Sequence, residues 1–130
     1  MQVDLLKILA VGSGGFIGAT SRYLLAGSVQ NYFSASSFPY GTAFVNILGC
    51  LLIGLLAGLF EVKQWINPEL RLFLFVGILG GFTTFSTFIN ESFMLLERGD
   101  IVLSILNVGV QVMLGLVFVW LGFALIRLIF

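Results

Sequence analysis

Four apolar stretches alternate with short polar ones along this chain. They run from about Leu5 to Gly27, Gly41 to Phe60, Leu70 to Leu96 and Ile101 to Leu128. Crossing the hydrocarbon core takes about 20 apolar residues in helix, and each stretch is long enough. The pattern predicts an all-α membrane protein, with residues 1–130 forming a single domain of four transmembrane helices. Lys7, near the start of the first stretch and ahead of most of its apolar residues, superficially resembles the start of a signal peptide. Three further stretches of similar hydrophobicity follow, so the first is read as a span.

The polar intervals suit loops. Ser28–Tyr40 is serine-rich and ends in Phe38-Pro39-Tyr40, as an interfacial loop would. Glu61–Glu69 holds the Asn67-Pro68 turn signal, and Trp65, a residue suited to the membrane–water boundary. The connection Glu97-Arg98-Gly99-Asp100 is tight, which makes the third and fourth spans antiparallel neighbours.

The third stretch departs from a plain apolar run. Gly80-Gly81 is followed by the hydroxyl side chains of Thr83, Thr84, Ser86 and Thr87. Such groups are costly in hydrocarbon unless protein surrounds them or they line a polar path. The stretch is also long for a straight crossing, and the glycines predict a helix break near mid-membrane. On an uninterrupted helix Thr83, Thr87 and Glu91 fall on one stripe, Phe85 and Phe88 on an adjoining face, and Ser86 and Asn90 form another polar pair. A carboxylate approached by hydroxyls suits one end of a permeation route; hydroxyls bonded back to their own helix are the plainer alternative.

Further polar residues lie inside other spans. Asn46, in the second, could donate to an anion or join helices, since a primary amide has two donors and an acceptor. Asn107 and Gln111, four apart in the fourth, pose the same choice. Arg22 in the first could snorkel to the interface or attract anions. A phenyl ring carries partial positive charge at its edge, so two rings could contact a small anion if stronger donors reinforced them.

Gly14-x-x-x-Gly18, Gly54-x-x-x-Gly58 and Gly77-x-x-x-Gly81 put small residues on one helix face, as close helix packing requires. A compact bundle of four short helices has little room for a polar path, so a pathway should involve an oligomer. Lys7, Lys63, Arg71 and Arg127 would share one side of the membrane, with Arg22 and Arg98 on the other. That positive-inside bias is weak. Insertion in both orientations, giving an antiparallel two-fold dimer, is compatible with it.

Composition supports the membrane assignment and removes several functions. The chain is 59% hydrophobic and 9% charged, with a mean hydropathy of +1.13, whereas soluble domains have about 25% charged residues. A net charge of zero gives no support to a nucleic-acid partner. There is no histidine, and the lone Cys50 lies in an apolar segment where it suits packing, so a transition-metal site of the usual kind is not expected. The spans show no paired acid–base or nucleophile constellation of the kind an enzyme needs.

Gly41-Thr42-x-x-x-Asn46-x-x-Gly49, with Gly80-Gly81-Phe82-Thr83-Thr84-Phe85-Ser86-Thr87-Phe88-x-x-Glu91, resembles the Fluc (CrcB) family of fluoride channels. Gly14-x-x-x-Gly18-x-x-x-Arg22 fits its first span, and the resemblance covers essentially the whole chain. It implies a dual-topology antiparallel homodimer in the bacterial inner membrane, passively exporting fluoride through two pores along the subunit interface. The resemblance assigns Phe85 and Phe88 as pore-lining rings, Asn46 as a donor, and Ser86, Thr87 and Glu91 as a polar track. Arg22, Asn107 and Gln111 are further pore candidates. It also implies a central structural sodium ion held by backbone carbonyls of Gly80 and Thr83 from both subunits. Gln111 and Gly115 depart from the family, some of whose members carry a hydroxyl or other small polar group there.

The rival readings are a small dual-topology multidrug transporter and a non-transporting accessory subunit. The transporter needs a membrane-embedded carboxylate, typically in the first span. Asp4 precedes that span, and Glu91 lies late in the third.

Overall fold

The computed structural model describes residues 4–64 and 67–130, and every regular element among them is helical. The interfacial role expected of Trp65 lies outside the described residues. Helix α1 spans Leu5–Tyr32 and α2 spans Tyr40–Val62. Helix α3 covers residues 68–82 in three parts: α-helical Pro68–Arg71, π-helical Leu72–Leu79 and α-helical Gly80–Phe82. After two extended residues, α4 spans Phe85–Glu97, and α5 spans Ile101–Ile129.

Local chemistry sets the ends. The Asp4 carboxylate accepts the Leu6 N–H at 3.0 Å to start α1. Asn67 accepts the Leu70 N–H at 2.7 Å, with Pro68 in the first turn of α3, where its missing N–H costs nothing. Between α4 and α5, Gly99 takes φ +84°, and its N–H bonds to Leu96 O at 2.9 Å. The reversal needs a left-handed residue, which glycine supplies without a Cβ clash.

Residues 68–97 and helices α2 and α5 are each long and apolar enough to cross a membrane. Helix α1, at 28 residues, has the length but lacks that apolarity. Its glycines, Ser13, Thr20, Ser21 and Arg22 dilute the hydrophobic run.

Backbone contact dominates the packing. A side chain at Gly14 would run into Phe73 O and Gly77 Cα, one at Gly18 into Ile78 O, and one at Gly81 into Gly15 O, so α1 and α3 cross nearly backbone to backbone. Helices α2 and α5 meet in the same way, Gly54 against Val119 O, Gly58 against Phe123 O and Gly122 against Leu51 O. All three Gly-x-x-x-Gly pairs therefore serve close crossings, gaining dispersion contact where lipid provides no hydrophobic drive between helices. The buried apolar residues are few, with Val45, Leu79, Phe82 and Phe88 among them, while most large apolar side chains face outward.

The interruption of the third stretch falls later than the glycines suggest. Gly80 is helical, at φ −62° and ψ −36°. The extended residues are Thr83 (φ −91°, ψ 159°) and Thr84 (φ −150°, ψ 114°). Thr83 consequently leaves the stripe expected to join it to Thr87 and Glu91; its hydroxyl donates to Leu79 O at 3.0 Å.

Candidate functional site

Two consecutive extended residues inside a membrane helix leave backbone donors and acceptors to be satisfied from elsewhere. Asn46 supplies the main answer. Its Oδ1 accepts the Thr84 N–H at 2.8 Å and its Nδ2 donates to the Thr84 carbonyl at 3.1 Å, so the side chain pairs with Thr84 as a neighbouring strand would. Arg22 supplies the second: its Nη1 donates to Thr83 O at 3.1 Å. Arg22 is half-buried and turned inward rather than snorkelling. The Thr84 hydroxyl then caps α4, accepting the Thr87 N–H at 3.3 Å and donating to the Thr87 hydroxyl at 3.0 Å.

A chain of amides continues from Asn46 into α5. Asn46 Nδ2 donates to Gln111 Oε1 at 2.7 Å, and Gln111 Nε2 donates to Asn107 Oδ1 at 2.8 Å. Asn107 Nδ2 donates to the Ser92 hydroxyl at 2.9 Å, which donates to Phe88 O at 2.9 Å. Asn107 is fully buried, and Ser104 adds a bond to Ser92 O at 2.8 Å. Sequence inspection marked Asn46, Asn107 and Gln111 but missed Ser92 and Ser104. Ser92 lies on α4 while Ser104 and Asn107 lie on α5, so their contacts show only once the two helices are packed together.

Beside this chain lies a groove of about 370 Å³, lined by Asn46, Gly80, Thr83, Phe85, Phe88 and Gln111 among others. The two rings stand 5.8 Å apart at 60°, with Phe88 buried and Phe85 75% exposed. Arg22, Thr42, Thr84 and Thr87 line a second groove on the other side of the interruption, about 350 Å³ in volume. Glu91 belongs to a third, with Ser37 and Arg98. Its Oε1 accepts the Thr42 hydroxyl at 2.7 Å, and its Oε2 is buried without a partner among the described residues. Ser86 and Asn90 are exposed on α4, whereas Asn107 is enclosed. Gly80 and Thr83 thus share a groove with the rings, while Thr87 and Glu91 face elsewhere.

Backbone carbonyls are the metal-ligating chemistry on offer, because no cluster of three acidic, histidine or cysteine side chains occurs among the described residues. The Gly80 carbonyl lies where the Thr84 N–H would reach it in a continuous helix, but that donor is turned to Asn46. Gly80 is exposed, and the Thr83 carbonyl has one lone pair engaged by Arg22. Such hard oxygens suit a hard cation rather than a soft transition metal.

The family described as CrcB-like protein, Camphor Resistance (CrcB), matches residues 9–123. Similar proteins are named fluoride-specific ion channel FluC. That of Methylobacillus flagellatus is 42% identical, covering 94% of this chain and 95% of its own. That of Maridesulfovibrio salexigens is 46% identical over 95% and 97%, and that of Nitratidesulfovibrio vulgaris 45% over 95% and 98%. With this coverage and with membrane-crossing helices packed through glycines, the chain is a multi-pass integral membrane protein and belongs to the CrcB-like family.

Proposed function

We propose that this chain is a fluoride-selective passive channel that lowers cytoplasmic fluoride. The observation that carries the reading is the outward face of α4. Phe85, Ser86, Thr87 and Asn90 are exposed there, directly after an interrupted backbone in a membrane-crossing segment. Polar groups facing lipid are costly, so this surface calls for a second copy, water or both. The fluoride channels similar to this chain name the ion.

In this reading α1 is the fourth crossing, held at membrane depth by its glycine contacts with α3. Two copies associate antiparallel across their α4 faces in a bacterial inner membrane, enclosing two pores. Fluoride is small and strongly hydrated, so donors must replace its water, and narrowness excludes chloride. Phe85 and Phe88 would offer ring edges, and Thr87 and Ser86 hydroxyls. Glu91, with its unpartnered oxygen, would sit near one end. A sodium ion between the copies would be held by the Gly80 and Thr83 carbonyls, and would offset the carbonyl dipoles gathered at the centre of the dimer.

The multidrug-transporter reading is weakened by the position of its required carboxylate. Asp4 caps α1, and Glu91 is bonded to Thr42 late in the third segment. The test is efflux from liposomes loaded with fluoride or chloride and containing only the purified protein, started with a potassium ionophore. Rapid fluoride loss without chloride loss is expected. A verified, folded protein that releases no fluoride would overturn the proposal and favour the accessory-subunit reading.

A further inference from the structure

Four helix ends meet at one end of the bundle and carry cations that the proposed pathway does not use. Lys7 lies in the first turn of α1 and Lys63 directly follows α2. Arg71 lies near the start of the crossing segment 68–97, and Phe130 follows α5. Arg127, at the same end, is paired with Glu61, the one salt bridge among the described residues. Lys7, Lys63 and Arg71 have no such partner there. The Asp4 carboxylate is bonded to the Leu6 N–H, and Glu69, in the first turn of α3, pairs with none of the three. Two of them lean on rings instead. Lys63 Nζ is 4.7 Å from the centre of the Phe130 ring, and Arg71 Cζ is 5.8 Å from that of Phe75. A ring face holds a cation while leaving its N–H donors for an anion.

Arg71 and Phe75 line two grooves at this end. One, of about 410 Å³, also takes in Phe60 and Lys63; the other, of about 470 Å³, takes in Lys7 and Val76. Phe75 and Val76 lie one turn deeper in the crossing segment than Arg71, with Phe75 half-buried and Val76 53% exposed. Charge therefore stands at the membrane boundary with apolar surface directly below it, the same division that a phospholipid makes between phosphate and chains. We infer that this end of the bundle binds an acidic phospholipid, its phosphate between Arg71 and the flanking Lys7 and Lys63, its acyl chains along Phe75 and Val76. Basic recesses between membrane helices suit anionic head groups. Three cations without carboxylate partners repel the ammonium of a zwitterionic head group, so net negative charge decides the lipid. The site is separate from the two rings of α4 and does not depend on which ion the protein conducts.

The test titrates the full chain, purified in dodecyl maltoside, with phosphatidylglycerol or with phosphatidylcholine of the same chains. Bound lipid is counted by native mass spectrometry. Tighter binding of phosphatidylglycerol is expected, with a melting temperature that rises as it binds. Equal binding of the two lipids would overturn the inference. Arg71→Gln should weaken phosphatidylglycerol binding about fivefold, and Lys7→Gln, Lys63→Gln and Arg71→Gln combined about a hundredfold, with phosphatidylcholine unaffected. Arg71→Lys keeps the charge and a long stem, so it should retain most of the affinity. A loss as large as that of Arg71→Gln would reduce Arg71 to packing on Phe75 and sink the phosphate site. Arg98→Gln removes a cation from the opposite end of the crossing segment and should leave binding unchanged. An equal loss there would mean diffuse attraction to any cationic surface, against a site. Glycerol phosphate, which has the phosphate without the chains, should not displace the lipid at equal concentration. Displacement would make this a site for free phosphate and overturn the lipid assignment.

Discussion

Helices α3 and α4 are consecutive pieces of one 30-residue apolar segment, yet they are held by different forces. The π-helical Leu72–Leu79 part of α3 carries no polar side chain and lies against α1, with Gly77 and Gly81 letting the backbones nearly touch. Helix α4 has Ser86, Thr87, Asn90 and Glu91 along its length and is tied to α5 by hydrogen bonds through Ser92. One half is an anchor fixed by shape; the other presents chemistry and is fixed by polar bonds. The first should fail when volume is added and the second when a donor or acceptor is removed.

The largest effect is expected on the anchor. Gly18→Val puts carbon where the Ile78 carbonyl lies, so the bundle should lose about 3 kcal/mol or fail to assemble. Gly12→Val, with nothing near it, should melt close to wild type. Equal melting temperatures for the two variants in detergent would refute the close-crossing account.

On the polar side, Asn46→Leu abandons the Thr84 N–H and carbonyl together, at about 1–3 kcal/mol for each buried group left unpaired. A melting temperature near that of wild type would show that water or another side chain replaces Asn46. The two rings separate stability from flux. Phe88→Ile, at a 6% exposed position, should cost about 1.5 kcal/mol, while Phe85→Ile, at 75%, should cost little in the isolated subunit. Both should slow fluoride efflux if the rings line the path, and normal flux in both would remove them from it.

Smaller effects test the ends of α4 and of the bundle. Thr84→Val deletes the cap on α4 and should cost about 1 kcal/mol by thermal unfolding. Arg127→Gln breaks an ion pair with Glu61 whose side chains are 58% and 46% exposed, so less than about 1 kcal/mol is expected, fading with added salt.

Much of the helical layout was legible beforehand, because hydropathy and turn signals are local properties. Helix α5 begins at Ile101 as the Gly99-Asp100 turn suggests, and α1 continues to Tyr32, past the expected end at Gly27. The loop after it is organised by Gln30, which donates to Phe38 O at 3.3 Å and accepts the Gly41 N–H at 3.1 Å. The glycine pairs were legible as packing surfaces, though not their partners. The helix break was misplaced by reading it from glycine alone. Gly80 and Gly81 are used for helix contact and accessibility, while Thr83 and Thr84 carry the extended backbone.

By itself the sequence determined that long apolar helices would form, where they would turn, and that polar chemistry would gather after Gly80-Gly81. Run length, capping residues and side-chain polarity act over a few neighbours and need no fold to be read. Only the tertiary structure decided which backbone opens and which side chains satisfy it. Those outcomes depend on Asn46 reaching Thr84 across 38 residues and Gln111 across 65, and on Arg22 reaching Thr83 across 61. A hydrogen bond is set by the position of both partners, and packing alone brings these together.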